Sequence, residues 1–473
     1  MKKLLIGTAA IALGVVAFSG PAAAQVSLDI EGHMKGYMSW VDQDTTNDSP
    51  FAEAVGIAII DDTSEDERSV DILRETEVHF TGETTLDNGL TVGIHIETDI
   101  DRADNFNTEE GYAYFSGAWG RVNFGLEDGA GYLLQVAAPS ADSNIDGIRQ
   151  YVQPVNYSIM GFYDTGAAAN IHDLSVKSLY RGIDPNTGVA FVADANFHDV
   201  DGSETVTAGD IRLGDAGAAA FGAGMPELFR FDYDMAVSGY SNKLTYLTPV
   251  FNGFQLGASY TPEIDQISRD FLRGNNDDDS YREYGNVWEL AARYEGQMDE
   301  VGVTLGAGYT HASLESSNDE TGGGVNDDDN VILYNDVDGS GTFTAAADTA
   351  IATLDDRQAW NVGLDLDWGP FGLGVSYSED DLGVSGNMDR DVWVVGLDYT
   401  TGPFKLGATY YNTDQELGTL EMETDRYTGG VVYTYGPGMT FRGSLSYIDH
   451  EGLAADVSDS NATSLMLGTQ INF

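Results

Sequence analysis

Two acidic segments of this sequence carry calcium-binding residue types at regular spacing. The first, Asp199 to Asp210, places oxygen-bearing residues at loop positions one, three, five, nine and twelve, with a backbone carbonyl available at position seven. This spacing is typical of a calcium-binding loop of the EF-hand type. The second segment begins at Asp336 and follows the same order. The predicted calcium ligands are Asp199, Asp201, Ser203, Thr205, Thr207, Asp210, Asp336, Asp338, Ser340 and Thr342.

Both segments depart from the calcium-binding pattern, so a second interpretation stays open. The first carries Glu204 at position six, where these loops normally have glycine. The second carries Ala347 at position twelve, with Asp348 one residue late, and neither segment has clear flanking helices. The alternative is a pair of ordinary surface loops in a very acidic chain. We therefore predict that no cofactor is required and that calcium is an optional ligand of these loops.

Three histidines offer a second kind of metal ligand. His33, His79 and His95 have the same side-chain parity on neighbouring predicted strands, which would bring them to one face of a sheet. They either bind a metal ion together or line a wet interior as polar residues, and we expect the second.

No motif of nucleophilic, metallopeptidase or nucleotide chemistry is found. The sequence has no cysteine and no G-x-S-x-G, H-E-x-x-H or P-loop pattern. Paired carboxylates are frequent in so acidic a chain, so their proximity is weak evidence for acid–base catalysis. We predict that the protein is not an enzyme.

The charge balance determines which partners the protein can attract. Its 473 residues include 22 Lys and Arg against 77 Asp and Glu, a formal net charge of -55. Phosphate groups would be repelled, which argues against nucleic acid as a partner and favours cations. Beyond the N-terminus no run of about 20 apolar residues occurs, so no transmembrane helix is expected in the mature chain.

Residues 1–24 have the pattern of a secretory signal peptide. Two lysines precede an apolar run from Leu4 to Phe18, and Ala22 to Ala24 supply a cleavage site of small residues. We predict a mature protein of residues 25–473 that forms one domain.

One pattern recurs through the mature chain: every second residue is apolar or aromatic, and the residues between are polar, small or charged. This alternation is typical of β-strands with one apolar face. Sixteen segments have it, and an even number of antiparallel strands can close into a barrel with both termini on one side. The segments are 28–40, 76–80, 90–96, 112–115, 121–124, 244–248, 254–260, 288–294, 301–309, 360–368, 371–377, 391–399, 404–410, 427–435, 441–447 and 465–473.

The connections between these segments alternate in length, as in outer-membrane barrels. Short ones such as 369–370 and 401–403 are separated by long acidic ones. Aromatic rings with a polar tip favour the boundary between lipid and water. We predict girdles of Phe254, Trp368, Phe371 and Phe404 at the short-turn end, and of tyrosines at the long-loop end. The tyrosines are Tyr260, Tyr294, Tyr309, Tyr377, Tyr399, Tyr410 and Tyr447.

Three segments carry a resemblance to a known family. The stretch from Tyr112 reads YAYFSGAWGRVNFG and precedes a long, partly apolar loop, and the stretch from Asn242 reads NKLTYLTPVFNGFQLGASYTP. The last strand ends on Phe473. Together they resemble the general porins of Gram-negative outer membranes.

The resemblance implies an all-β fold, a 16-stranded antiparallel transmembrane β-barrel with short periplasmic turns, long extracellular loops and an inward-folded third loop. That loop would occupy residues 126–240, and its part from Leu126 to Gly147 would narrow the pore. The resemblance also implies a homotrimer in contact with outer-membrane lipid and lipopolysaccharide. It further implies that the barrel assembly machinery recognises Phe473.

The predicted pore lining is acidic. Carboxylates on the third loop would face carboxylates, imidazoles and a few cations on the first strands, and such a field attracts cations. The alternative is that the loop acids are paired with Arg149, Arg74 or other cations, or face solvent. The predicted constriction residues are Lys35, Glu75, Glu77, His79, His95, Glu97, Arg121, Glu127, Asp128, Asp142 and Asp146.

These observations favour an outer-membrane porin with a water-filled, cation-preferring channel for passive diffusion of ions and small hydrophilic solutes. Two alternatives stay open. The long third loop could form the binding site of a substrate-selective uptake channel, which saturable flux would reveal. A calcium-binding structural β protein of the cell surface would instead be soluble without detergent.

Overall fold

Sixteen strands of the computed structural model close into one barrel, and four short strands form a second sheet. The structure describes residues 27–43, 69–100, 107–152, 154–155, 196–198, 211–213, 231–264, 284–314, 332–335, 349–353, 355–383, 389–417, 420–451 and 460–473. The barrel strands are β1 (Ser27–Gln43), β2 (Val70–Thr85), β3 (Thr91–Asp99), β4 (Asn107–Gly117), β5 (Gly120–Glu127), β8 (Ser241–Leu247), β9 (Phe254–Glu263), β10 (Tyr284–Met298), β11 (Val301–Leu314), β14 (Arg357–Trp368), β15 (Phe371–Asp380), β16 (Arg390–Thr401), β17 (Phe404–Leu417), β18 (Leu420–Gly436), β19 (Met439–Glu451) and β20 (Ser460–Asn472). The second sheet contains β6 (Asn196–His198), β7 (Ile211–Leu213), β12 (Ile332–Asn335) and β13 (Thr349–Thr353).

The first and last strands close the barrel. β1 pairs with β2 on one side and with β20 on the other, antiparallel in both cases, and Met38 lies opposite Leu467. Closure leaves no sheet edge with unpaired backbone groups, which is the condition for a β-structure to cross hydrocarbon.

The barrel strands bury polar side chains and expose apolar ones, the reverse of a soluble sheet. On β1, Lys35 and Ser39 are buried inside, whereas Met34 and Met38 are 44% and 54% exposed on the outside. An apolar outer face matches hydrocarbon, and a polar inner face matches a wet lumen. The alternation that predicted the strands therefore also determines which face points to lipid.

All sixteen predicted strands are present, and the predicted fold class is confirmed. Several strands extend beyond their predicted limits at the long-loop end. β18, for example, begins at Leu420 rather than near Tyr427. The added residues are mostly acidic or polar, so apolar alternation fades there although the backbone pairing with β17 continues.

The tyrosine girdle is only partly as predicted. Tyr294 and Tyr399 lie at the short-turn end, where their rings pack on Phe254 at 4.6 Å and on Phe371 at 4.9 Å. Both tyrosines lie near the end of a strand that leads into a short turn, so their predicted place at the long-loop end was wrong. At the opposite end Tyr377 packs between Trp360 and Trp393, as expected there.

The connection between β5 and β8 contains a strand pair that the sequence did not predict. β6 and β7 are antiparallel, and β7 also pairs with β12 from another loop. Each has three residues, too few for an alternating pattern to be recognised. The two predicted calcium loops, 199–210 and 336–348, lie outside the described residues, but the strands that flank them belong to this one sheet.

Candidate pore constriction

The third loop enters the barrel directly after β5. Its described part contains two single-turn helices, α1 (Ala130–Leu133) and α2 (Ser143–Asp146), joined by an extended segment. No helix in the described part of the chain is long and apolar enough to span a membrane. The loop residues Ala130, Leu134 and Val136 are buried, so the apolar middle of this loop packs against the barrel rather than facing water.

Residues 130–141 lie directly on the inner wall because the wall presents glycines beneath them. A Cβ atom added at Gly306 of β11 would lie 2.7 Å from Val136, and one added at Gly374 of β15 would lie 2.7 Å from Pro139. Such distances are too short for packed carbon atoms, so any larger residue would push the loop into the lumen. This glycine row comprises Gly257, Gly306, Gly363, Gly374, Gly396, Gly407 and Gly430.

The far end of this segment is fixed by Asp142. Its carboxylate accepts hydrogen bonds from Arg442 of β19 and, at 2.7 Å, from the hydroxyl of Tyr37 on β1. The side-chain amide of Asn144 donates to the same hydroxyl at 2.9 Å. Because Asp142 is nearly inaccessible and paired with a cation, it does not present a free negative charge to the lumen.

Asp146 is the second anchored acid of the loop. Its carboxylate lies 3.1 Å from the guanidinium of Arg426 on β18. Burial raises the pKa of Asp146 to about 6, and the neighbouring Arg426 only partly offsets that rise. Burial therefore disfavours the charged form of Asp146 more than the neighbouring Arg426 favours it.

Arg149 connects the start of the third loop to its return segment, residues 231–240. Its guanidinium forms two hydrogen bonds of 2.6 Å to Asp128, one of 2.7 Å to Asp234 and one of 2.8 Å to the hydroxyl of Tyr240. It also lies 4.0 Å from the ring centroid of Tyr132. Burial raises the pKa of Asp128, and Arg149 opposes this. Charge and stacking together hold three parts of the loop around one side chain.

The return segment also rests on buried carboxylates of the wall. Glu289 of β10 accepts hydrogen bonds from Ser238 at 2.5 Å and from the backbone amide of Gly131 at 2.9 Å. Glu127, at the end of β5, accepts a hydrogen bond of 2.8 Å from Asn123. Lys243 of β8 donates to the backbone carbonyl of Glu127. These contacts attach both ends of the described loop to the wall.

The opposite wall, formed by β1 to β3, carries alternating histidines and glutamates, which we call the histidine–glutamate ladder: His33, Glu77, His79, Glu97 and His95. Glu77 lies between two imidazoles, 3.4 Å from His33 and 3.3 Å from His79. Glu97 likewise lies 3.2 Å from His79 and 3.6 Å from His95. The side chains are between 7% and 23% exposed, so the ladder is accessible from the lumen.

Two further groups extend this wall. Glu75 accepts hydrogen bonds from His33 at 2.9 Å and lies 2.7 Å from the ammonium of Lys35, which itself lies 3.1 Å from the ring centroid of Tyr151. At the other end His95 packs on Tyr112 at 5.3 Å. The lumen between the third loop and this wall is therefore lined by imidazoles, carboxylates and phenol rings.

The predicted constriction residues fall into two groups that the structure separates. Lys35, Glu75, Glu77, His79, His95 and Glu97 lie together on β1 to β3. Glu127, Asp128, Asp142 and Asp146 lie on the loop side, and the last three contact arginines. Arg121 lies apart from both groups, 4.0 Å from the ring centroid of Tyr114 near a short turn. The proposal that these residues form the constriction stays a prediction.

Sequence reasoning missed the cations that hold the loop. Arg426 and Arg442 lie inside the barrel on β18 and β19, and Arg149 was expected only as an alternative partner of the loop acids. A usable signal was present for Arg442, which occupies the inward parity of the predicted strand 441–447 in a chain with few cations, whereas Arg426 precedes the predicted strand 427–435 by one residue. Glu289 could have been found in the same way.

Comparison with known proteins gives a match at the level of family and fold. The family model described as Gram-negative porin matches residues 7–453. No curated protein sequence matches the chain.

Among solved structures, the anion-selective porin from Comamonas acidovorans is similar to this chain. The similarity covers 95% of this chain and 100% of the Comamonas chain, with a TM-score of 0.50 and 14% sequence identity. OmpT of Vibrio cholerae in its trimer form is similar over 95% of this chain and 99% of its own, with a TM-score of 0.48 and 13% identity. For a mutant of the Rh. blastica porin, the similarity covers 94% of this chain and 100% of the mutant's chain, with a TM-score of 0.43 and 14% sequence identity.

Proposed function

This chain belongs to the Gram-negative porin family, and we propose that its outer-membrane channel prefers cations and passes ions and small hydrophilic solutes by passive diffusion. The family and the closed barrel support the channel itself and its place in the bacterial outer membrane. They also make a calcium-binding structural protein of the cell surface the weaker interpretation. Porin barrels typically serve as channels, so we propose no catalytic activity.

The observation that supports cation preference is the acidic wall opposite the third loop. Three carboxylates, Glu75, Glu77 and Glu97, face the lumen there, and the ammonium of Lys35 contacts Glu75. Fixed carboxylates in a narrow, low-dielectric passage concentrate cations and repel anions. The formal net charge of -55 acts in the same direction.

The loop acids support this preference less than the sequence suggested. Asp128, Asp142 and Asp146 each contact an arginine, so their charges are largely balanced within the loop side. The Comamonas acidovorans porin is anion-selective, but at 14% identity its similarity to this chain concerns the fold alone. Selectivity follows from lining residues rather than from the fold.

The test is the reversal potential of the purified protein in a planar bilayer under a potassium chloride gradient. We expect stepwise conductance with a reversal potential on the cation-selective side. An anion-selective potential would contradict the proposed preference and leave the channel intact. Saturable flux of one solute would instead favour the substrate-selective alternative.

We further propose that the protein is a homotrimer, as the family resemblance implies. Exposed apolar side chains on β1 and β20, including Met38 and Leu467, would then pack either on lipid or on a neighbouring barrel. Unheated gel electrophoresis and light scattering in detergent test this directly. A mass of one protomer plus bound detergent would contradict the trimer.

A further inference from the structure

The histidine–glutamate ladder places two sets of metal-ligand atoms side by side. In the first set His33, Glu77 and His79 offer ligand atoms that all lie within 4.8 Å of one another, and in the second set His79, His95 and Glu97 do the same. In each set one carboxylate oxygen stands between two imidazole nitrogens. A small cation bound among these three atoms would contact two nitrogens and one oxygen at once.

The chemistry of these ligands selects the class of ion. Two neutral imidazoles and one carboxylate suit zinc and its neighbours among the divalent transition metals, whereas calcium and magnesium prefer oxygen ligands. We propose that the histidine–glutamate ladder binds one divalent transition-metal ion of the zinc class inside the pore. Three protein ligands leave further coordination positions for water, which is typical of an open site rather than a closed structural one.

The two sets share His79, and this limits the number of ions. The first set uses Nε2 of His79, 3.3 Å from Glu77, and the second uses Nδ1, 3.2 Å from Glu97. A neutral imidazole has one nitrogen free to bind a metal, because the other carries the proton. Filling both sets would require His79 to lose that proton as well, so one ion occupies one set or the other.

A neighbouring hydroxyl supports the second set as a metal site. Nδ1 of His95 lies 2.9 Å from the hydroxyl of Thr81, a hydrogen bond that can orient the ring and leave Nε2 towards Glu97. On the other side Glu75 lies 2.9 Å from Nε2 of His33, the same nitrogen that faces Glu77, so Glu75 competes with the ion for that nitrogen. A contact such as that between Thr81 and His95 raises metal affinity by about 10- to 100-fold. The partial exposure of the imidazoles gives the ion a path from the lumen.

A bound ion would change the channel as well as occupy it. It would place two positive charges on the wall that we propose attracts cations, so we expect lower potassium conductance and weaker cation preference. This consequence rests on the proposed function. Metal binding itself does not, because it depends only on the ladder.

The first experiment is zinc titration by calorimetry on the folded barrel in detergent, purified without a polyhistidine tag. Millimolar magnesium in the buffer occupies weak carboxylate sites elsewhere in this acidic chain. The test variant is His79→Gln, which removes the shared ligand, and the matched control is His311→Gln on β11, whose imidazole lies 3.6 Å from Asp356. Heat-modifiable migration on gels verifies that each variant folds.

We expect about one zinc ion per protomer in the wild type and in His311→Gln, and at least about tenfold weaker binding in His79→Gln. His33→Gln and His95→Gln each leave one set complete and should retain binding. The double variant Glu77→Gln/Glu97→Gln, which keeps all three imidazoles, should also lose affinity. Equal affinity in wild type and His79→Gln, or no zinc binding at all, would overturn the site.

Conductance recorded with and without zinc distinguishes failure of the site from failure of the channel. A zinc-sensitive current in the wild type that becomes insensitive in His79→Gln supports both proposals. Zinc binding without any current would remove the proposed function and leave the metal site. A current with no difference in zinc binding between wild type and His79→Gln would remove the metal site and leave the proposed channel.

Discussion

Asp146 of the third loop lies 3.1 Å from Arg426 of β18, and this ion pair attaches the loop to the wall four strands away from β2, the central strand of the histidine–glutamate ladder. Both side chains are almost fully buried. The pairing explains why an acidic loop does not by itself make an acidic pore, because its carboxylates are used to hold it in place.

The buried position of Asp146 predicts a pH-dependent contribution to stability. Its folded pKa of about 6 lies above the ordinary value of 3.8, so the folded barrel retains a proton that the unfolded chain loses between these values. The stabilisation is present below pH 3.8 and is lost as the pH rises through about 6, with an upper limit of about 3 kcal/mol.

The measurement is the apparent melting temperature of wild type and Asp146→Asn in detergent at fixed scan rate. The wild type should lose stability relative to the variant between pH 4 and pH 7, as the buried carboxyl ionises. The difference in apparent melting temperature between the two proteins cancels the contribution that titration of the other acids makes to both. A difference that does not change with pH would show that Asp146 has no raised pKa.

The glycine row predicts that one added methyl group disturbs the loop. Gly306→Ala would place its Cβ 2.7 Å from Val136 and 2.9 Å from the carbonyl of Leu134, both loop atoms. We expect stability to fall by about 1–3 kcal/mol and the single-channel conductance to change, because overpacking moves the loop. The control is Gly429→Ala, where a Cβ meets nothing within 4 Å. Equal conductance in both variants would mean that the loop does not narrow the pore.

Arg149 is expected to be the most sensitive cation of the loop. Arg149→Gln leaves Asp128 and Asp234 buried without their counter-charge, which typically costs about 3–5 kcal/mol. The control is Lys405→Gln, which removes a half-exposed pair with Asp398 worth roughly 0–1 kcal/mol. Refolding yield and apparent melting temperature report the difference. Similar values for the two variants would contradict the role of Arg149.

Calcium binding by the two acidic segments stays a prediction from sequence spacing. Addition of calcium after chelation should raise the apparent melting temperature of the wild type, and Asp201→Asn/Asp338→Asn should reduce that rise. The matched control is Asp277→Asn/Asp327→Asn, which removes the same charge from runs without ligand spacing. An equal response in both double variants would indicate general charge screening instead of binding.

The strands could be predicted because lipid outside and water inside impose alternation on every one of them. The same alternation placed Glu75, Glu77 and His79 on the lumen face before their contacts were known. The path of the third loop could not be predicted, since it depends on glycines from seven different strands that only closure brings into one row. Pairings such as Asp142 with Arg442 join residues 300 positions apart, and local spacing contains no information about them.

The most direct test of the account is whether the wall, and not the loop, determines ion selectivity. Glu75→Gln/Glu77→Gln/Glu97→Gln removes the wall carboxylates, and Asp146→Asn/Arg426→Gln removes a loop ion pair with no change in net charge. Reversal potentials under a potassium chloride gradient should move strongly towards zero in the wall variant and stay near the wild-type value in the loop variant. An unchanged potential in the wall variant would contradict the central claim.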